Sequence, residues 1–393
     1  MSERISDSVL NAPSTVPGRH WERLSDGRLQ CNVCPRFCRL HPGQRGLCFV
    51  RAAAPDGIVL TSYGRSSGFC VDPIEKKPLN HFLPGSAVLS FGTAGCSLTC
   101  KFCQNWDMSK SRQMDTLADA ASPETLVRAA LGLQCQSVAF TYNDPVIFLE
   151  YAIDVAAACR EAGIKRVAVS AGYVTPEARR EFFSEIDAVN IDLKAFSEDF
   201  YRAICGGHLE PVLETLKYLV HETEVWTEIT TLLIPGENDS DAEINDMCQW
   251  IAENLGTGVP LHFSAFHPDW KMQNHSQTPH NTLLRARSIA QQQGLHYVYL
   301  GNVHDAVGSS TYCAGCGVLL IERDWYQLGS WSLDDTGHCQ NCSTQMAGVI
   351  DGPPGKWGRR RLPVRLADFE PGGRKHNQPI DRTTGIRPRE GGQ

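Results

Sequence analysis

The 393-residue sequence has no run of 18 or more apolar residues, so it contains no candidate membrane span. Residues 1–20 are polar and lack an apolar core before a small-residue cleavage site, which argues against a secretory signal. The net charge of −7 at pH 7 argues against a nucleic-acid-binding surface along the whole chain. With 42% hydrophobic and 21% charged residues, the composition is that of a folded protein, long enough for two or three domains.

Cysteine, in contrast, is abundant. The chain has 16 cysteines. Because no secretory signal is evident, we expect a reducing, cytoplasmic location, where a disulfide framework is disfavoured and clustered cysteines bind metal or do chemistry. Eleven fall into three groups: Cys31, Cys34, Cys38 and Cys48; Cys96, Cys100 and Cys103; and Cys313, Cys316, Cys339 and Cys342. We expect the other five to behave as small buried hydrophobes: Cys70, Cys135, Cys159, Cys205 and Cys248.

Between residues 87 and 300, short apolar runs alternate with helical patterns. The runs are Ala87–Phe91, Val138–Thr141, Arg166–Ser170, Ala188–Leu193, Val225–Ile234, Leu261–Phe266 and Tyr297–Leu300. Strands that alternate with helices predict βαβ units and a parallel sheet. We therefore expect an α/β fold, a partial (β/α)6 TIM-like barrel, with an open doubly wound sheet as the alternative. In a barrel, functional residues gather at the carboxyl ends of the strands.

Changes in composition divide the chain into five expected regions. They are a flexible leader (1–30), an N-terminal Cys-rich lobe (31–86), a core barrel (87–310), a C-terminal zinc-ribbon-like module (311–350) and a disordered basic tail (351–393). From Lys356 to Gln393 the chain has ten Lys or Arg and four Asp or Glu, together with few large apolar residues.

The most specific signal is the spacing C-x3-C-x2-C directly after the first predicted strand, at Cys96, Cys100 and Cys103. Three thiolates within eight residues can hold one face of a compact iron–sulfur cluster and leave one iron free to bind another molecule. The alternatives are a zinc site completed by a distant ligand, or three unrelated thiols.

This loop, with Phe102 before its third cysteine, resembles that of the radical SAM superfamily. Further short motifs narrow the resemblance; they begin at Asp72 (DPIEKKPL), Cys103 (CQNW), Thr141 (TYNDP), Asp192 (DLKAF), Leu233 (LIPG) and Phe266 (FHPD). Together with both flanking cysteine sets, they resemble the radical SAM enzyme of the AmmeMemoRadiSam system, a family similar to the pyruvate formate-lyase activating enzyme. The resemblance covers about residues 31–345.

The resemblance implies a fold, a reaction and its cofactors. Cys96, Cys100 and Cys103 would hold a [4Fe–4S] cluster whose open iron binds S-adenosylmethionine. Reductive cleavage would give methionine and a 5′-deoxyadenosyl radical that abstracts hydrogen from a substrate not identifiable from the sequence. The implied partners are an electron donor such as flavodoxin or ferredoxin, and a protein substrate or other AmmeMemoRadiSam components. Neither membrane nor nucleic acid is indicated. The competing hypothesis is a non-enzymatic, metal-stapled module that binds protein or nucleic acid.

Three residues at the end of the second barrel strand match the position at which the superfamily binds the ammonium of S-adenosylmethionine. They are Thr141, Asn143 and Asp144, where the family usually has Glu in place of Asp144. The alternative for Asp144 is a helix cap, because an acidic residue before Pro145 is a good capping pair.

Two further pairs are candidate cosubstrate ligands. Asp192 and Lys194 end the fourth strand and suit the ribose, although Lys194 could hold a substrate carboxylate and the pair could be a surface ion pair. Glu228 and Thr230 share one face of the fifth strand, and face either the barrel interior or a helix interface.

The two flanking cysteine sets predict further metal sites. Cys313-x2-Cys316 and Cys339-x2-Cys342 have zinc-ribbon spacing, so we expect structural zinc; a rubredoxin-like iron or an auxiliary iron–sulfur cluster is the alternative. Cys31, Cys34, Cys38 and Cys48 are less regular and predict a metal site of unspecified type, either zinc or a second iron–sulfur cluster that relays electrons.

Overall fold

The computed structural model describes residues 5–111 and 119–372. Its N-terminal part contains one short helix, Asp7–Leu10, and seven strands. The strands are β1 (Val16–Pro17), β2 (Trp21–Arg23), β3 (Leu29–Cys31), β4 (Arg39–Leu40), β5 (Arg51–Ala53), β6 (Ile58–Leu60) and β7 (Arg65–Pro73). Two small sheets, with strand orders β2-β3-β4 and β1-β6-β5, form this lobe, and β7 leads into the main sheet.

The main sheet contains seven parallel strands that lie side by side in sequence order. They are β8 (Ala87–Gly92), β10 (Ser137–Phe140), β11 (Lys165–Ser170), β12 (Ala188–Asp192), β13 (Trp226–Leu233), β14 (Leu261–Ala265) and β15 (Val298–Gly301). Strand β7 extends the sheet antiparallel to β8, and β9 (Asp119–Ala120) pairs with β7. Each predicted apolar run corresponds to one parallel strand, which confirms the α/β class and the partial barrel.

Six helices connect consecutive parallel strands. They are Pro123–Gly132, Leu149–Glu161, Pro176–Phe183, Glu210–Glu222, Asp241–Asn254 and His280–Gln292. Local sequence fixes where two of them begin, because Ser122 and Ser240 accept hydrogen bonds from the backbone N–H three residues later. The shorter helical segments are Ile74–Lys76, Trp106–Ser109, Pro145–Phe148, Glu198–Phe200, Tyr201–Cys205, Ala306–Ser309 and Leu366–Phe369. No helix in the described part of the chain has the length and apolar character of a transmembrane span.

The segment from Pro78 to His81 crosses the inner face of the sheet and closes the barrel on the side away from the strand ends. Asn190 on β12 donates to the Pro78 carbonyl oxygen at 2.8 Å. The Glu228 carboxylate on β13 accepts the backbone N–H groups of Asn80 and His81 at 3.0 and 2.8 Å. The open space of the barrel is therefore left at the carboxyl ends of the strands.

The C-terminal cysteines lie beside the strands of a small antiparallel sheet that packs against β15. Its strands are β16 (Thr311–Tyr312), β17 (Leu319–Asp324) and β18 (Gln327–Trp331). Tyr297 and Tyr299 share an apolar cluster with Cys313 and Cys339. This module is therefore packed against the barrel.

The predicted leader and tail differ from the structure over their described parts. Strand β2 pairs with β3, and Leu29 is fully buried, so residues 5–30 form part of the lobe. At the other end, β19 (Leu362–Pro363) pairs with β7 and Leu366 is buried, so residues 351–372 pack on the barrel. Strands of two or three residues are too short to give a periodic sequence pattern. Residues 373–393 of the predicted tail lie outside the described part of the chain.

Candidate active site

A cavity of about 370 Å³ opens at the carboxyl ends of the parallel strands. Nine residues predicted to bind the cluster or the cosubstrate line it: Cys96, Cys100, Cys103, Thr141, Asn143, Asp144, Asp192, Lys194 and Thr230. The chain brings these residues together from three strands, β10, β12 and β13, and from the loop that follows β8. Glu228, the tenth, does not line the cavity.

The three-cysteine loop follows β8 and is held in place by a glycine and an asparagine. Gly95 has a φ of +88°, and a Cβ atom there would lie 1.9 Å from the carbonyl oxygen of Cys48. A side chain at this position would therefore push the loop away from the N-terminal lobe. Asn143 donates to the Gly95 carbonyl oxygen at 2.8 Å and accepts the Thr93 N–H at 3.2 Å. Asn143 thus positions the loop as well as lining the cavity.

The π-helix Tyr201–Cys205 supports the other side of the loop. The backbone N–H of Thr99 donates to the Cys205 carbonyl oxygen at 2.8 Å, and that of Lys101 donates to Ile204 at 3.0 Å. A hydrogen bond from the Cys205 thiol lowers the pKa of Cys100 to about 7 although the residue is buried. Cys205, which we expected to be a small buried hydrophobe, is buried and also contacts the loop directly.

The three loop thiols are not gathered around a point. Within the described residues, the four C-terminal cysteines form the single group of three or more Cys, His, Asp or Glu whose ligand atoms all lie within 4.8 Å of one another. Four thiolates on one zinc ion, at about 2.3 Å each, stand only about 3.8 Å apart. The three loop sulfur atoms therefore do not all lie as close together as the ligands of the C-terminal group.

Asp144 connects the loop to two strands. Its carboxylate accepts hydrogen bonds from the hydroxyls of Ser97 and Ser170, both at 2.8 Å. Burial raises the pKa of Asp144, and the two hydroxyl donors oppose that shift. Asp144 occupies the N-cap position of the turn Pro145–Phe148, where a backbone hydrogen bond from Val146 also lowers its pKa, so the alternative of a helix cap remains beside the binding role.

Asp192 and Lys194 form an ion pair at the cavity wall. Lys194 Nζ lies 2.7 Å from Asp192 Oδ2, and the Lys194 side chain is only 15% exposed. The Asp192 side chain is 32% exposed, so the pair is partly buried at the cavity wall. Burial disfavours the Lys194 charge, but the Asp192 carboxylate together with the Cys100 and Cys205 thiols outweighs burial and raises the pKa of the lysine. The pair presents one acidic and one basic group to a ligand.

Glu228 and Thr230 lie on the same face of β13 but at different depths in the barrel. Glu228 is fully buried and accepts a hydrogen bond from His262 at 2.7 Å in addition to the two backbone N–H groups of the crossing segment. These hydrogen bonds offset the free-energy cost of removing its charge from water. Thr230, two residues closer to the strand end, lines the cavity, and its buried Oγ1 has no hydrogen-bond partner. An orphaned hydroxyl at this wall is free to bind a ligand.

Several cavity-lining residues were not predicted. They are Lys76, Lys77, Lys110, Ser264, Asn302 and Tyr326. Ser264 lies on β14 and Asn302 follows β15, so the rule that function gathers at strand ends could have found both. Lys76 and Lys77 both pair with the buried Asp72 at 2.9 Å, and all three belong to the quoted DPIEKKPL motif. Tyr326 comes from the C-terminal module, and no sequence signal indicated it.

The four C-terminal cysteines have the geometry of a single-ion site. Sγ of Cys313 lies 3.5 Å from Sγ of Cys342, and Sγ of Cys316 lies 3.8 Å from Sγ of Cys339. These distances approach the edge of about 3.8 Å that a tetrahedral zinc–thiolate site requires. Gly317, with a φ of +73°, makes the tight turn after the first knuckle. The residues therefore fit one tetrahedrally held metal ion.

The sequence profile of the Radical SAM superfamily matches residues 91–248, which span the loop and the first strands of the barrel. Over 331 residues the chain is 37% identical to an uncharacterized protein of Methanocaldococcus jannaschii, an alignment that covers 84% of this chain and 98% of that protein. The chain belongs to the Radical SAM superfamily. This membership favours an enzyme over the non-enzymatic binding module.

More distant relatives of this radical SAM protein include a pyruvate formate-lyase activating enzyme. The pyruvate formate-lyase 1-activating enzyme of Escherichia coli strain K12 is 22% identical over 228 residues, which cover 54% of this chain and 91% of that protein. Among solved structures, a radical SAM methyltransferase from Sphaerobacter thermophilus aligns with a TM-score of 0.45 and 16% identity over 80% of this chain and 84% of that one. The predicted similarity to the activating enzymes is confirmed.

Proposed function

We propose that this protein reductively cleaves S-adenosylmethionine at a [4Fe–4S] cluster held by Cys96, Cys100 and Cys103. The observation that carries the proposal is the single cavity onto which the three thiols and six polar strand-end residues converge. Bound cosubstrate and reduced cluster together supply a 5′-deoxyadenosyl radical, which abstracts hydrogen from the substrate.

The polar groups of the cavity match those of the cosubstrate in kind. S-adenosylmethionine has an ammonium, a carboxylate, a ribose diol and an adenine. Asp144 and Asp192 are acceptors for the ammonium and the ribose, and Lys194 is a cation. Thr230 Oγ1 is an orphaned hydroxyl in need of a partner. In this proposal Asn143 positions the cluster loop, and Thr141 and Thr230 bind the cosubstrate.

The substrate is proposed from the relatives. The Escherichia coli relative is by name an activating enzyme of another enzyme. We propose a protein substrate by analogy, with the AmmeMemoRadiSam system as the biological setting and a flavodoxin or ferredoxin as electron donor. We propose a cytoplasmic location, because cysteines clustered in metal-ligand patterns are typical of a reducing compartment. We assign structural zinc to the four C-terminal cysteines.

Anaerobic reconstitution tests the proposed function. The protein is loaded with iron and sulfide, reduced with dithionite and incubated with S-adenosylmethionine, and 5′-deoxyadenosine and methionine are quantified. We expect equal amounts of both in uncoupled turnover. Replacement of Cys96, Cys100 or Cys103 with Ala should abolish product formation, because each removes one of three cluster ligands. Cys135→Ala, which alters a buried thiol outside the three cysteine groups, is the matched control. Absence of 5′-deoxyadenosine from cluster-loaded wild-type protein would refute the proposal.

A further inference from the structure

We infer that Cys31, Cys34, Cys38 and Cys48 hold a second iron–sulfur cluster, which passes electrons to the cluster of the three-cysteine loop. The inference that it serves this loop rests on the proposed function. All four thiols line one small cavity between the N-terminal lobe and the barrel. Arg36, Arg51 and Ser97 complete much of its wall.

The distances between the cysteine sulfur atoms distinguish the N-terminal site from a site for a single metal ion. The C-terminal cysteines, which fit one zinc ion, bring all their sulfur atoms within 4.8 Å of one another. No three of the four N-terminal sulfur atoms do so, although the structure describes every residue of that set. The N-terminal set shares this wider spacing with the loop Cys96–Cys103. The four cysteines nevertheless line a common cavity, so a group that they share must bridge sulfur atoms spaced more widely than those of the C-terminal site.

The charge at this cavity suits a group bearing several thiolates. Arg51 is 1% exposed, and its guanidinium pairs with the buried Glu150. Arg51 Nε donates to the Ile147 carbonyl oxygen at 2.9 Å, whereas Nη1 has no partner. A buried cation with an unused N–H donor stabilises an anionic neighbour. Metal–thiolate groups are anionic, and hydrogen bonds or charges near the sulfur atoms tune their reduction potentials.

The cavity lies directly beside the three-cysteine loop. The Cys48 carbonyl oxygen occupies the place that a Cβ of Gly95 would take, so the two segments touch. Arg36 Nε donates to the carbonyl oxygen of Ser97 at 3.3 Å, and Ser97 directly follows the loop ligand Cys96. Cys34 and Cys38 are partly exposed, whereas Cys31 and Cys48 are buried. The N-terminal site therefore lies between solvent and the loop.

This placement defines a route for one electron at a time. A reduced donor protein of low reduction potential gives up one electron. This electron enters the N-terminal cluster near the partly exposed Cys34 and Cys38. The same electron then passes to the loop cluster, so the N-terminal cluster returns to its oxidised state. No bond forms or breaks in either transfer, and the donor supplies the only reducing equivalent.

Metal content tests the site independently of activity. The background variant carries Cys96→Ala, Cys100→Ala and Cys103→Ala, so it lacks the loop site. After anaerobic reconstitution, this variant is compared with one that also carries Cys34→Ala and Cys38→Ala; the C-terminal site is common to both. We expect the additional changes to remove about four iron and four sulfide per chain, together with the electron paramagnetic resonance signal of a reduced cluster. Loss of one zinc, or no loss of metal, would overturn the assignment.

Electron delivery tests the relay. In otherwise wild-type protein, Cys34→Ala with Cys38→Ala should remove most of the 5′-deoxyadenosine formation driven by reduced flavodoxin and retain that driven by dithionite, which can reach the loop cluster directly. Equal losses with both reductants would overturn the relay. Cys135→Ala should leave both rates unchanged. If wild-type protein formed no 5′-deoxyadenosine, the proposed function would fail, while the metal comparison would still decide the N-terminal site.

Discussion

Ser97 donates a hydrogen bond to Asp144 Oδ2 at 2.8 Å and so ties the cysteine loop to the end of strand β10. Ser170, at the end of β11, donates to the other carboxylate oxygen at the same distance. A carboxylate can accept about four hydrogen bonds, so Asp144 retains capacity for a ligand in the cavity that it lines. This residue can therefore hold the loop and bind the cosubstrate ammonium together.

Asp144→Asn should weaken binding of S-adenosylmethionine by roughly 10- to 150-fold, because a hydrogen bond to a charged group contributes about 1.5–3 kcal/mol. The change preserves the shape of the side chain and removes its charge. Isothermal titration with the cluster-loaded protein measures the effect. We expect Asp144→Glu to retain binding, since it keeps the carboxylate charge.

Two controls separate a binding role from a positioning role. Ser170→Ala removes one hydroxyl donor and leaves the Asp144 charge in place, so it should affect affinity less than Asp144→Asn. The melting temperature and the iron content of each variant are measured in parallel. If Asp144→Asn retained full affinity with normal iron content, the ammonium would bind elsewhere.

Adjacent threonines on β13 offer a matched pair. Thr230 Oγ1 faces the cavity without a partner, whereas Thr231 Oγ1 donates to the Leu193 carbonyl oxygen at 2.8 Å. Thr230→Val should leave the free energy of unfolding unchanged or raise it, because a buried unpaired hydroxyl is removed. It should also lower S-adenosylmethionine affinity by roughly 2- to 12-fold, the equivalent of one hydrogen bond of about 0.5–1.5 kcal/mol.

Thr231→Val should show the opposite pattern. It leaves the Leu193 carbonyl oxygen without this donor and should destabilise the protein by about 1–3 kcal/mol. Cosubstrate affinity should stay the same, because the Thr231 side chain points away from the cavity wall. Urea unfolding and titration calorimetry on both variants measure the two quantities. Equal affinities for wild type and Thr230→Val would remove Thr230 from the site.

The strand pattern explains why most of this site could be predicted and Glu228 could not. The rule that functional side chains gather at the carboxyl ends of parallel strands indicated Thr141 and Asp192, and the period of two along β13 indicated Thr230; all three line one cavity. The period of two placed Glu228 on the same face as Thr230, correctly, but it carries no information on depth. The crossing segment Pro78–His81 fills the barrel at the level of Glu228, and long-range contacts of this kind leave no local pattern.

The ends of the chain show a second limit of prediction from the local sequence. Strand β19 pairs with β7 across almost three hundred residues, and Leu366 is buried although it stands between Arg365 and Asp368 with only Ala367 beside it. A composition rich in Pro, Gly and Arg predicts disorder on average, but two short apolar contacts are enough to dock such a segment. Tyr326 similarly reaches the active-site cavity because the C-terminal module packs on β15, a contact that local sequence does not encode.

Removal of one C-terminal thiol should release the metal bound there. Cys339→Ala or Cys313→Ala should lower zinc content by about one ion per chain and lower the melting temperature, because a structural metal site contributes folding free energy. The iron-dependent absorbance of the loop cluster should persist in the folded fraction. Cys248→Ala, which changes a buried thiol in the helix Asp241–Asn254, is the control. Unchanged metal content in both Cys313→Ala and Cys339→Ala would contradict the assignment of a metal site to these cysteines.

His81 is expected to make stability depend on pH. Its Nδ1 is hydrogen-bonded to the Ala347 carbonyl oxygen, which cannot donate, and its Nε2 to the Tyr299 hydroxyl. The neutral ring therefore donates through Nδ1 and accepts through Nε2. Burial lowers the pKa of His81 to about 4; the Glu228 charge opposes the shift, and Arg323 and His262 add to it. Protonation would remove the acceptor at Nε2 and place an additional cation in the core.

The sign of the effect follows from proton linkage. Between the unfolded pKa of 6.5 and the folded value of about 4, the unfolded chain binds more protons, so the free energy of unfolding falls as the pH falls. The contribution of His81 is about 3 kcal/mol over this window, at about 1.4 kcal/mol per pH unit. His81→Gln removes the titrating group, so urea unfolding at pH 7, 6 and 5 should show lower stability at pH 7 and a shallower decline than wild type. The exposed His296, changed to Gln, should leave the decline as it is. A decline in His81→Gln as steep as that of wild type would show that other groups cause it.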